Sequence, residues 1–239
     1  MKAKAKPIQV FLVDDHPVVI QGLSALINGE SDMEVCGCAE GVASAMQFME
    51  TTEPDAAVVD LSLKDGDGVA LIRTMKVLCP GTRVVAYSMH DESLQAERAL
   101  DAGARGYVMK QGPFETVLEA IREVVRGRMW VSGKISNQMA AKASWSSETM
   151  DDSPVERLNH REHEVFRLLG EGQSVSRIAQ RLHMNAKEVE SCRIAIQEKL
   201  RFNNMDEVSR LAALMVQRKG LDASHFQKTN GIKRDGGQE

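Results

Sequence analysis

The chain has 239 residues, 43 % of them hydrophobic, and a formal net charge of −4. Domains run to roughly 100–200 residues, so one large or two small ones are expected, and the apolar content excludes a largely disordered chain. The charge is uneven. Residues 1–127 hold 12 Lys and Arg against 19 Asp and Glu, a net of −7, whereas residues 155–219 hold 12 against 9, a net of +3. A basic half hints at nucleic acid, although +3 is a weak field.

In chain order, Ile8–Val13 is a compact apolar run ended by Asp14 and Asp15. Val18–Ile27 has helical spacing, Met33–Ala39 reads as a strand and Val42–Met49 as a helix. Ala56–Val59 is a second apolar run, ended by Asp60. Val69–Leu78 is helical and stops at Pro80 and Gly81. Arg83–Tyr87 reads as a strand, Glu92–Ala102 as a helix, Gly106–Met109 as a strand and Phe114–Val125 as a helix. Strands alternating with helices predict an α/β doubly wound five-stranded parallel sheet. The non-alternating apolar runs suit strands buried on both faces. The expected units are residues 7–127, a polar linker over 128–156 with one helix near 132–143, an all-α four-helix unit over 157–219, and a disordered tail over 220–239.

In such a sheet ligands bind beyond the carboxyl ends of the strands. There the strands deliver Asp14 and Asp15, Asp60, Ser88, and then Lys110. Clustered carboxylates repel and require a cation, and a hard divalent ion such as Mg2+ suits them. The Lys ammonium suits a phosphoryl group, a Ser hydroxyl can donate to one, and a carboxylate can act as nucleophile. Together they can support phosphoryl transfer to one Asp. Asp65 and Asp67 are expected to be solvated loop acids.

The strings FLVDDHP, VVDLSLKDGDG, VVAYS and GARGYVMK resemble the receiver domain of two-component response regulators over about residues 7–127. The resemblance implies Asp60 as phospho-acceptor and Mg2+ held by Asp14, Asp15, Asp60 and the backbone carbonyl of Ser62. It further implies Ser88 and Tyr107 as switch residues, Lys110 as partner of the phosphoryl group, and Gly68 as the glycine closing the acceptor loop. Lys64 stands where many members carry Pro. His90, two residues after Ser88, is expected to influence the lifetime of the phosphoryl group. A phosphohydrolase with an Asp nucleophile is the competing class. It needs a second acid near the nucleophile, and Asp60-Leu61-Ser62 offers none two residues on.

From Leu158 the pattern is helical throughout. One helix carries Val165, Leu168 and Leu169 and ends at Gly170–Gly172. A second, over about 174–182, starts at a Ser N-cap and carries Ile178, Ala179 and Leu182. After a tight His183-Met184-Asn185 connection, a third carries Val189, Cys192, Ile196 and Leu200. A fourth spans about 206–218, with Val208, Leu211, Ala212 and Met215 along one side. Two helices joined by a tight turn are the helix-turn-helix layout. Arg161-Glu162, Gly172, Ile178-Ala179, Val189 and Lys199-Leu200 resemble the LuxR-type helix-turn-helix of the NarL/FixJ class.

That resemblance implies a third helix in the major groove, with Lys187, Glu190, Ser191, Arg193, Ile194 and Lys199 as DNA contacts and Arg201 near a phosphate. It also implies a fourth helix that helps dimerise. Glu188 and Glu190 depart from the class: acids near phosphates are unfavourable, although Glu190 can accept a hydrogen bond from cytosine N4. The implied function is a phosphorylation-dependent transcription regulator rather than an enzyme. Its partners are a sensor histidine kinase, double-stranded promoter DNA and a second copy as homodimer. The alternative is a receiver whose helices contact protein instead of DNA.

Cys36, Cys38, Cys79 and Cys192 lack paired metal or disulfide spacing and are expected as buried small residues in a reducing compartment. No signal sequence follows Lys2, Lys4 and Lys6, and no apolar run approaches the ~20 residues of a membrane span. A cytoplasmic location without membrane contact is expected.

Overall fold

A computed structural model describes residues 6–89, 92–133, 135–136 and 154–219. The expected tail after Gly220, His90 and most of the expected linker helix lie outside the described residues. Five strands form the main sheet: β1 (Ile8–Val13), β2 (Met33–Ala39), β3 (Ala56–Asp60), β4 (Arg83–Ser88) and β5 (Gly106–Met109). They pair in parallel in the order β2-β1-β3-β4-β5. The chain reverses its direction of travel across the sheet at β1, so a crevice opens beside the carboxyl ends of β1 and β3.

Helices α1 (Pro17–Asn28), α2 (Val42–Thr51), α3 (Gly68–Leu78), α4 (Glu92–Ala102) and α5 (Glu115–Val125) cover both faces. Alternate residues of each strand serve opposite cores. Phe11, Val13, Ala57 and Val59 pack with α2, α3 and α4, whereas Val10, Leu12, Val58 and Val85 pack with α1 and α5. Double coverage is why β3 is buried along its whole length and has no polar alternation before Asp60.

The edges behave differently. On β2 the register slips between Val10 and Phe11, which leaves Cys36 as an extra residue. This edge strand has one neighbour, so Cys38 is exposed and Cys36 half-buried. Cys192 is half-buried as well, and only Cys79 is buried as expected. At the other edge, Trp130 bridges to Gly106. The Tyr107 N–H donates to the Trp130 carbonyl at 2.8 Å, and the Trp130 N–H to the Arg105 carbonyl at 3.0 Å. The segment after α5, read as linker, therefore begins hydrogen-bonded to β5.

Asp65 and Asp67 are helix caps, not idle solvated acids. A short ribbon pairs Ser62–Leu63 with Gly66–Asp67. It brings the Asp65 carboxylate to the N–H groups of Val42 (2.8 Å) and Ala43 (3.1 Å) at the start of α2. Asp67 accepts from the Val69 N–H at 2.9 Å at the start of α3. Both satisfy donors that a helix N-terminus leaves unpaired.

After a 3-10 turn (Pro154–Arg157) come α6 (His160–Gly170), α7 (Val175–Leu182), α8 (Ala186–Leu200) and α9 (Met205–Lys219). Their core is Val165, Phe166, Leu168, Ile178, Val189, Ile196, Leu200, Val208, Leu211 and Ala212. Phe166 fills the place expected of Leu169, which is only partly buried. His183 turns the chain between α7 and α8 with φ 53°, a left-handed single residue. Helix α9 lies on α6 and also against α2 and α3, and the 154–157 turn touches α3. Among the described residues, no helix is long and apolar enough to cross a membrane.

Candidate functional site

Four of the five strands, β1, β3, β4 and β5, carry a polar residue at or just after their carboxyl ends. Asp14, Asp15, Asp60 and Ser88 are all buried, at 3 %, 6 %, 2 % and 0 % exposure. Lys110 follows β5. Its backbone N–H donates to the Ser88 carbonyl at 2.8 Å, which ties the two strand ends together. The buried Lys110 Nζ stands 2.6 Å from Asp14 Oδ2 and 2.8 Å from Asp60 Oδ2. Below it lies the Tyr87 ring, 5.5 Å from ammonium to centroid. Burial, and then the charges of Asp14 and Asp60, push the Tyr87 phenol above its ordinary pKa.

The acceptor loop leaves Asp60 by a tight route. The Ser62 N–H returns to Asp60 Oδ1 at 3.0 Å, and Ser62 itself is exposed. Gly68 donates to the Leu61 carbonyl at 3.2 Å. Lys64 does more than stand in for Pro: its Nζ is 3.4 Å from Asp15 Oδ2 and 3.3 Å from the Asp15 carbonyl. Tyr107 is buried with the α2–α4 core, beneath the Trp130 bridge.

The site's charge is unbalanced. Asp14, Asp15, Asp60 and His16 offer ligand atoms that all lie within 4.8 Å of one another. Asp14 Oδ2 and Asp15 Oδ1 are buried without a partner in hydrogen-bonding geometry. Their close neighbours are Lys110 Nζ, 2.6 Å from Asp14 Oδ2, and His16 Nδ1, 2.8 Å from Asp15 Oδ1. Three buried carboxylates against one buried ammonium fit a small hard dication with oxygen ligands. His16 and Tyr87 were not expected here. The signal for His16 was its place directly after the acid pair, where its N–H caps Asp14 Oδ1 at 2.9 Å.

On α8, Lys187, Glu190, Ser191 and Ile194 are exposed on one face. Glu188 is accounted for by a capping box: it accepts from the Asn185 N–H at 2.7 Å while Asn185 accepts from the Glu188 N–H at 2.9 Å. Arg193 is half-buried and its Nη1 is 2.6 Å from Glu190 Oε1. Lys199 stands apart from that face. Its Nζ binds both carboxylate oxygens of buried Glu162, at 2.8 and 2.6 Å. Glu162 also closes the capping box of α6 with Asn159.

Residues 10–122 match the family model described as "Response regulator receiver domain". Residues 156–212 match "Bacterial regulatory proteins, luxR family". The "Oxygen regulatory protein NreC" of Staphylococcus carnosus (strain TM300) is 30 % identical over 207 residues, which cover 84 % of this chain and 94 % of that protein. The crystal structure of a LuxR-family two-component response regulator from Aurantimonas sp. SI85-9A1 is 32 % identical over 57 % of this chain and 97 % of its own, with a TM-score of 0.52. The RcsB response regulator of Salmonella typhimurium, at 24 % identity, shares the fold over 87 % of this chain and 99 % of its own, with a TM-score of 0.51. The chain belongs to the response regulators that join a receiver domain to a LuxR-type helix-turn-helix, which are phosphorylation-dependent, DNA-binding regulators of transcription and not enzymes.

Proposed function

We propose that Asp60 accepts a phosphoryl group from a sensor histidine kinase in the cytoplasm and that this event controls promoter binding by α8. A carboxylate oxygen of Asp60 attacks phosphorus, the P–N bond of the donor phosphohistidine breaks, and the imidazole leaves with the electron pair. Mg2+, held by Asp14, Asp15, Asp60 and the Ser62 carbonyl, would supply neutralisation of the phosphoryl oxygens. The residues present fit it: two buried carboxylate oxygens lack hydrogen-bond partners and the donor set is oxygen-rich. Lys110 exchanges one of its two carboxylate neighbours for the phosphoryl group, and Ser88 donates its hydroxyl to it. Tyr107 and the Trp130 bridge carry the change to the sheet edge. The single observation that carries this reading is Lys110 bridging Asp14 and Asp60 at the mouth of the crevice.

Residues 7–127 serve as receiver, 128–156 as linker and 157–219 as the DNA-binding unit, which acts as a homodimer on paired half-sites. Lys187, Ser191, Glu190 and Ile194 face double-stranded DNA. Arg193 and Lys199 contribute through the neighbours they hold. The test is affinity for the upstream region of its own gene at two salt concentrations, with and without acetyl phosphate and Mg2+. Tighter, salt-sensitive binding that needs the phosphodonor and is lost in Asp60→Ala supports the reading. Labelling of Asp60 without DNA binding in any state would move the helices to protein contact.

A further inference from the structure

The exposed face of α8 has an unusual chemistry for a surface meeting DNA. Lys187, Glu190, Ser191, Ile194 and Glu198 reach solvent, while Val189, Ile196 and Leu200 fill the core behind them. In the middle of this polar stripe stands Ile194, 57 % exposed. A lone exposed isoleucine is ordinary on a surface. In a groove, however, its alkyl group loses water without replacement unless it meets another apolar group. The major groove presents one such group, the C5 methyl of thymine.

Glu190 sits one turn earlier. Its Oε1 is held 2.6 Å from Arg193 Nη1. The Arg193 side chain is 22 % exposed and its Nε is buried without a partner. Arg193 thus lies along the helix rather than reaching outward. It fixes the Glu190 carboxylate and offsets its charge near the phosphates. An ionised carboxylate only accepts hydrogen bonds. The donors on the groove floor are the exocyclic amino groups of cytosine and adenine.

Four residues along a helix span about 6 Å, close to two base steps of about 3.4 Å each. We propose that Ile194 reads a thymine methyl and Glu190 an exocyclic amino group, about two base steps apart, in each half-site. This rests on the DNA-binding function proposed above and adds the base classes to it. Both residues act through surfaces that do not support the core, so their variants keep the fold.

The experiment selects duplexes from a random-core library with the full-length protein, acetyl phosphate and Mg2+. Each thymine of the selected duplex is then replaced by deoxyuridine, which removes one methyl group from the DNA and leaves the protein untouched. Wild type should lose about fourfold in affinity at one thymine per half-site, the worth of one buried methyl. Ile194→Ala should be indifferent to the same replacement. Glu190→Ala should keep the thymine effect and lose the preference for cytosine or adenine at the position two steps away, and the selected base tells which amino group is read. Tolerance of deoxyuridine at every position, or an undiminished effect in Ile194→Ala, would overturn the inference. If no duplex is bound at all, it falls together with DNA binding itself, a result distinct from binding without thymine-methyl dependence.

Discussion

At the scale of single residues, the missing side chain of Gly68 is as informative as the carboxylates. A Cβ there would lie 2.1 Å from the Asp60 carbonyl oxygen and 2.6 Å from Leu61 Cα, both backbone atoms that cannot step aside. Gly68→Ala should therefore cost about 1–3 kcal/mol by overpacking. It should also slow acetyl phosphate labelling of Asp60, because the acceptor's own backbone must shift. Urea midpoints and the labelling rate check both, and normal labelling would refute the link. Lys110 makes a second case. Removing the ammonium in Lys110→Ala leaves buried Asp14 and Asp60 facing each other, at a cost of about 3 kcal/mol without a dication. Added Mg2+ should raise the melting temperature of the variant more than that of the wild type.

The five pocket residues were legible because each terminates an apolar run, and strand ends in this fold converge. His16 and Tyr87 were not. Their part depends on how α1 begins and on how Lys110 lies over a ring, neither of which leaves a periodic trace.

At the scale of elements, helix boundaries were legible from spacing, but their caps were not. Asp65 caps α2 from 23 residues away, a distance no local motif encodes. The Val42 N–H, and then that of Ala43, holds its carboxyl below the ordinary value of 3.8, against the opposing effect of burial. A depressed pKa stabilises above the unfolded value and is lost as pH falls through the folded one. Asp65→Ala should cost about 1 kcal/mol at pH 7, and the gap from wild type should close as the pH drops below 3.8. Urea unfolding at pH 7 and pH 3 tests this, and an equal gap at both would exclude the cap as its source.

Glu188 shows the reverse lesson. Judged by its place in the class it is a misplaced acid, yet Asn185 and Glu188 satisfy each other's N–H groups and start α8. Asn185→Ala should destabilise the C-terminal helices by about 1 kcal/mol, measured by urea unfolding, and weaken DNA binding no more than that loss explains.

For the whole molecule, the helix assigned to dimerisation by resemblance lies against α2 and α3, while the exposed stripe of α8 stays open. Between the units is a cleft of about 270 Å³ lined by Asp65, Asp67 and Thr74 on one side and Asn204, Glu207 and Arg210 on the other. Half-buried Arg73 on α3 lies in the fields of Asp67 and Glu207, and burial outweighs both to lower its pKa. A guanidinium stays charged even so, and it offsets acids contributed by both units. Arg73→Ala should loosen the docking of α9, seen as faster amide exchange along that helix and a larger radius of gyration in solution. Unchanged exchange would remove Arg73 from the contact. None of this was legible in the sequence, because spacing identifies the buried stripe of α9, Val208, Leu211 and Ala212, but not which helices cover it.

The Trp130 bridge makes the start of the connecting chain a leash whose free length depends on β5. While Trp130 is clipped to Arg105 and Tyr107, residues 128–131 add nothing to the reach between the two units. Unclipping residues 128–131 would add up to about 14 Å of reach. A longer leash dilutes each unit in the neighbourhood of the other, and their effective concentration falls. A rearrangement confined to one strand could thus weaken docking some distance away without altering a single docking residue.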